Sequence, residues 1–93
     1  MQLPVNYTKL HYTQRKVVRN EYIKRQDGKC YHCKKPLSGK PCHSALLLIV
    51  RPALFPKNFF NYPVHLHHNH DTGMTIGAVH AHCNAVLWQY FGE

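Results

Sequence analysis

The sequence predicts a small α+β domain stapled by zinc: an N-terminal helix, a cysteine knuckle, then strand, turn, strand and helix. Three observations predict it. The chain has 93 residues, and a chain this short buries only about 60% of its unfolded surface, so its core is marginal. Four cysteines and nine histidines, six of the latter between His65 and His82, offer metal ligands that can stand in for missing core. Finally, the apolar pattern alternates over residues 64–67 and becomes a dense apolar run after His82, a change from strand to helix.

Residues 1–93 read as one domain in three stretches. The first, residues 1–28, is basic. Thr13 is a plausible N-cap, and Val18 and Tyr22 stand four apart, so a modestly amphipathic helix is expected over residues 14–26, stopped by Asp27-Gly28. Its unbalanced charge has one sign, which favours a phosphate-facing helix over a merely solvated one. The second stretch, residues 29–63, opens with a knuckle. The apolar run at residues 45–50 reads as a buried strand. Pro52, Pro56 and Pro63 then interrupt an aromatic loop with Phe55, Phe59, Phe60 and Tyr62, where no long element can form. These rings are expected to cover the core; stacking on nucleobases is the alternative. In the third stretch, residues 64–93, Val64-His-Leu-His alternates as a strand does, and Asp71-Thr72-Gly73 is a turn. Residues 74–79 return as a second strand, and a largely buried helix runs from about His82 to Gly92.

Cys30-x-x-Cys33 is half of a tetrahedral zinc site, because the two-residue gap lets both thiolates reach one ion from a tight turn. His80-x-x-Cys83 has the same spacing at the start of the last helix. The expected ligand set is therefore Cys30, Cys33, His80 and Cys83, with Cys42, His43 and His82 as rivals for the fourth place. A redox pair needs a thioredoxin-like βαβ context that the sequence lacks.

Twelve Lys+Arg against four Asp+Glu leave a net charge of +8. That excess points to a polyanionic partner, DNA before an anionic membrane. Lys24, Arg25, Lys29, Lys34 and Lys35 flank the knuckle and are the candidate phosphate contacts. No apolar run reaches the roughly 18 residues of a membrane span, and residues 1–20 contain no apolar signal-peptide segment. An intracellular location is the expectation. The run His67-His68-Asn69-His70 is the densest chemistry in the chain. On a strand, His68 and His70 share a face while His67 points away unless the strand twists.

These motifs together carry a resemblance. Asp27-Gly28-Lys29-Cys30-Tyr31-His32-Cys33, then Leu66-His67-His68-Asn69-His70-Asp71-Thr72-Gly73, then Gly77-Ala78-Val79-His80-Ala81-His82-Cys83-Asn84 resemble the HNH nucleases. This is the ββα-metal, or His-Me finger, fold, and the pattern is most similar to the phage recombination endonuclease VII group. The match covers about half of the chain. The resemblance implies a metal-dependent DNA endonuclease, nicking or weakly sequence-specific, encoded by a phage and so active in the host cytoplasm. His68 matches the general base and His70 the distal histidine that helps to hold phosphate. His67 and Asn84 match the ligands of the catalytic divalent ion (Mn²⁺, Mg²⁺, Co²⁺, Ni²⁺ or Zn²⁺). The sequence departs from that pattern at three places: His67 stands for an Asp, Asn69 for an Asp, and His80 for a zinc cysteine. The family's long dimerising helices have no counterpart after Phe91, so a monomer is expected, with a dimer as the alternative. The competing function is a non-catalytic, zinc-stabilised nucleic-acid-binding module.

Overall fold

The computed structural model describes residues 1–92. The chain forms α1 (Tyr12–Arg25), α2 (His43–Leu47), β1 (Val64–His68), β2 (Thr75–His80) and α3 (Ala81–Phe91), with short 3-10 turns at Tyr7–Lys9, Pro52–Leu54 and Phe59–Asn61. β1 and β2 form a two-stranded antiparallel sheet. Two strands alone are marginal in water. Here α1 covers one side through Val18 and Tyr22, and Leu66, Ala78, Val79 and Cys83 meet them in the core together with Cys30, Leu37 and Ala45. No helix among the described residues is long and apolar enough to cross a membrane.

α1 starts earlier than Thr13 suggests. His11 is the N-cap: its Nδ1 accepts from the Thr13 amide, and the Gln14 side chain accepts from the His11 amide at 2.9 Å, closing a capping box. After Arg25 the chain reverses through Asp27 and Gly28, both with positive φ (56° and 71°). The knuckle that follows is built from backbone bonds, Cys30 N to Lys35 O at 2.8 Å and Leu37 N to Gly28 O at 2.8 Å.

Gln26 ties this turn to the sheet. Its Oε1 accepts from Ala78 N and its Nε2 donates to Ala78 O, both at 2.9 Å, and to Lys29 O at 2.7 Å. One side chain thus bonds both backbone groups of a fully buried β2 edge residue, whose carbonyl also accepts from Tyr31 N at 2.9 Å.

The β1–β2 turn is an Asx turn. Asn69 Oδ1 accepts from the amides of Asp71 (2.8 Å) and Thr72 (3.0 Å), and Gly73 closes the turn with φ +79°. The N-terminal segment then runs beside it. Tyr7 N donates to Gly73 O (2.8 Å), Thr75 N to Val5 O (2.9 Å) and Val5 N to Thr75 Oγ1 (3.0 Å). A Cβ at position 73 would stand 3.0 Å from Asn6 Oδ1, so the close approach of the two segments also requires glycine there.

Residues 45–50 correct the expectation of a buried strand. His43–Leu47 is a single turn and a half of helix, and Leu46, Leu47 and Ile49 are exposed. A two-stranded sheet offers this run no third position, and only Ala45 reaches the core. His82 Nε2–H donates to Ala45 O at 2.7 Å and docks α2 on α3. The loop after α2 is tied to the end of α3, where Gln89 accepts from Arg51 N (2.9 Å) and donates to Ile49 O (2.8 Å). The Pro-interrupted segment contains only 3-10 turns, as its prolines dictate. Gly92 (φ 73°) ends α3.

Replacing Gln26 by Leu leaves the buried Ala78 N–H without its partner, while the Ala78 carbonyl keeps the Tyr31 amide. A loss of about 1–3 kcal/mol is expected, read as a lowered denaturation midpoint at unchanged helix content.

Candidate metal centre and histidine cleft

The knuckle and the β2–α3 junction bring four ligand atoms together. The donor atoms of Cys30, Cys33, His80 and Cys83 all lie within 4.8 Å of one another. His80 Nδ1 is 3.4 Å from Cys33 Sγ and 3.7 Å from Cys83 Sγ. A tetrahedral zinc with bonds of about 2.3 Å to sulfur and 2.0–2.1 Å to nitrogen has S···N edges of about 3.6 Å. The donor set and its spacing therefore fit zinc, and the cluster could hold such an ion.

The ring of His80 is fixed for this task. Its Nε2–H donates to Pro36 O at 2.9 Å, which leaves Nδ1 unprotonated and facing the sulfurs. Pro36 belongs to the knuckle, so one hydrogen bond joins both halves of the cluster. The thiols are already polarised. The shared proton of Cys83, followed by backbone amides, pulls Cys30 down to about 4 against the opposing effect of burial. The same sharing, with burial, pushes Cys83 up. A bound divalent ion would take the place of that proton.

The rival ligands are elsewhere. Cys42 is half-buried against the core, His43 is exposed, and His82 is spent on Ala45 O. Among the described residues no other group of three or more His, Cys, Asp or Glu side chains could hold a metal.

Beside this centre the histidines of β1 divide as alternation requires. His68 stacks on Tyr7, with ring centroids 3.9 Å apart and planes 6° from parallel, and meets His70 edge-on at 4.9 Å. Arg15 lies over the other face of Tyr7, its Cζ 4.0 Å from the ring centroid. Burial holds the His68 pKa below its ordinary value, and the charges of His70 and His67 add to that. His68 is thus neutral, and able to accept a proton, at neutral pH.

On the opposite face, His65 and Asn84 form a directed chain. His65 Nε2–H donates to Phe59 O at 2.8 Å, so its Nδ1 is the acceptor for Asn84 Nδ2–H at 3.1 Å. The Asn84 amide is thereby oriented through its nitrogen, which leaves Oδ1 as its remaining acceptor. Asn84 and His70 share a cavity of about 280 Å³ with Phe55, Phe59 and Trp88. His67 lies on the His65 side of the strand by alternation and is only 2% exposed.

Of the basic candidates, Lys24, Arg25, Lys29, Lys34 and Lys35 are all exposed. Two also have partners: Arg25 pairs with Glu21 at 3.1 Å and donates to Met1 O, and Lys34 Nζ donates to Tyr31 O at 2.8 Å. Lys24, Lys29 and Lys35 are the freer cations among these candidates.

The sequence reading missed Tyr7, Arg15 and His65. His65 was legible, since alternation places it on one face with His67. Tyr7 was not, because only the pairing of residues 5–7 with the β2 edge carries it to His68. No known family model matches the sequence, and no curated protein or solved structure matches it either.

Purified protein is expected to contain one zinc per chain. Cys83→Ser should lose it and Cys42→Ser should keep it, as checked by elemental analysis with a thiol titration.

Proposed function

We propose that the chain is a metal-dependent endonuclease of the HNH type that hydrolyses phosphodiester bonds in DNA, with zinc at Cys30, Cys33, His80 and Cys83 as its structural ion. The observation that supports this most is a convergence: Asn84, the residue after the Cys83 ligand, opens on one cavity with His70, whose ring touches that of His68. Phosphodiester hydrolysis needs an activated water, charge relief at the phosphoryl oxygens and help for the leaving oxygen.

In this reading His68 takes the proton of the attacking water. Tyr7 holds its ring flat, and burial keeps it neutral. His70, exposed at the cavity mouth, donates to a phosphoryl oxygen. His67 and Asn84 are the residues that would hold a second divalent ion. An imidazole and an amide oxygen suit Mn²⁺, Co²⁺ or Ni²⁺ at least as well as Mg²⁺. That ion, when bound, supplies Lewis-acid stabilisation of the developing phosphoryl charge. Lys24, Lys29 and Lys35 supply affinity for the phosphate backbone that is independent of sequence and weakens with salt.

The burial of His67 favours a second reading, a zinc-stabilised module that binds nucleic acid without cutting it. His67 is only 2% exposed and is not among the residues that line the cavity beside Asn84.

A supercoiled-plasmid nicking assay separates the two. Nicking is expected with Mn²⁺, Co²⁺ or Ni²⁺ at rates no lower than with Mg²⁺. His68→Ala should slow it about 10²–10⁴-fold, the usual worth of general base catalysis, while retaining zinc. Nicking at the native rate in that variant would remove His68 from the mechanism, and no nicking by the native chain would leave the binding module. His65→Phe should raise the Mn²⁺ concentration for half-maximal activity about 10–100-fold, as loss of a ligand's orienting partner does.

A further inference from the structure

The cavity beside Asn84 has a wall that the proposed hydrolysis does not use. Phe55 meets Phe59 at 4.7 Å and Trp88 at 5.5 Å, the latter at 67°. Leu54 and Pro56 complete the apolar side, and the polar groups are His70 and Asn84. Among the described residues no carboxylate lines the space. These rings do not form a closed core, for Trp88 remains 43% exposed.

Size and charge limit what can enter. A volume of about 280 Å³ lies just under the ~300–1,000 Å³ of drug-sized sites. It accommodates one flat ring system. The wall belongs to a chain of net charge +8, and Arg51 and Lys57 are exposed on the loop that carries Phe55. An aromatic slot with hydrogen-bonding groups at one end and cations around it matches a nucleotide: a base on the rings and a phosphate at the histidine. Aromatic side chains hold any base through its π-face.

We propose that this cavity seats one unpaired nucleobase, so that the substrate class is DNA with a single-stranded, gapped or extruded nucleotide in preference to intact duplex. The inference rests on the proposed function for the nature of the polymer and adds the state of the strand. A base within a duplex must first leave its stack to reach the rings, and one already unpaired has less to lose.

Trp88 is the single tryptophan, so its emission reports on the cavity. The zinc-loaded full chain, with no other divalent ion added, is titrated at fixed salt with a thymidine oligonucleotide, an intact duplex, and the same duplex carrying a one-nucleotide gap. The oligonucleotide and the gapped duplex are expected to quench Trp88 and to bind about fivefold or more tighter than the intact duplex, the lower end of one base–aromatic stack. Phe55→Tyr, which keeps a ring, should retain that preference. Phe55→Leu, which keeps apolar bulk alone, should lose it, with zinc content and circular dichroism confirming its fold. Unchanged Trp88 emission at saturation with all three DNAs overturns the proposal, as does a preference that survives in a folded Phe55→Leu. Should Phe55→Leu fail to fold, quenching and preference in the native chain decide. Cleavage is not read, so the failures separate. Quenching by a protein that never nicks retires the nuclease and keeps the base seat, whereas nicking of intact duplex with unquenched Trp88 does the reverse.

Discussion

The Cys30/Cys33/His80/Cys83 cluster is the constraint on which the rest of the structure depends. A two-stranded sheet and three short helices provide little core, and the largest fully buried side chains include Cys30 and Cys83 themselves. An ion bound there contributes folding free energy directly, on the order of 10 kcal/mol in small zinc domains. It also fixes geometry. Cys30 and Cys33 belong to the knuckle after α1, and His80 and Cys83 close β2 and open α3. Holding all four at one point sets the angle at which α3 leaves the sheet, and therefore where Asn84 stands.

The remaining site residues are placed by hydrogen bonds that radiate from this junction. Pro36 O holds the His80 ring, Gln26 bonds both sides of Ala78, and Phe59 O sets the His65 tautomer that orients Asn84. On the far face, Val5 and Tyr7 pair with the β2 edge and the β1–β2 turn, which delivers the Tyr7 ring to His68. Polar bonds of this kind do what a larger core would do elsewhere: they restrict each functional side chain to one orientation.

Much of this was legible in the sequence, and the reasons are local. The knuckle follows from Cys30-x-x-Cys33 and the glycine before it; the strand–turn–strand–helix order follows from alternation, Asp71-Thr72-Gly73 and the apolar run after His82. Gly92 ends α3 as expected. Three matters depended on partners that composition and alternation do not reveal. Residues 45–50 have the composition of a buried strand, but a strand needs a neighbour and this sheet has none to offer. His11 caps α1 because Gln14 closes the box from the other side. The composition of the aromatic loop suits covering the core, yet Phe55 and Phe59 instead wall the cavity lined by His70 and Asn84. Tyr7 lies in a segment without periodicity, and only the folded edge of β2 brings it to His68, with Arg15 of α1 over its other face.

One thiolate-held ion is proposed to position a second, accessible ion next to Asn84. Anomalous diffraction from a crystal grown with manganese, recorded at the zinc and manganese edges, tests it most directly. The expected result is a zinc peak bonded to three sulfurs and His80 Nδ1, and a manganese peak at Asn84 Oδ1 within reach of His67. A cluster without zinc, or manganese bound only away from Asn84, would contradict it.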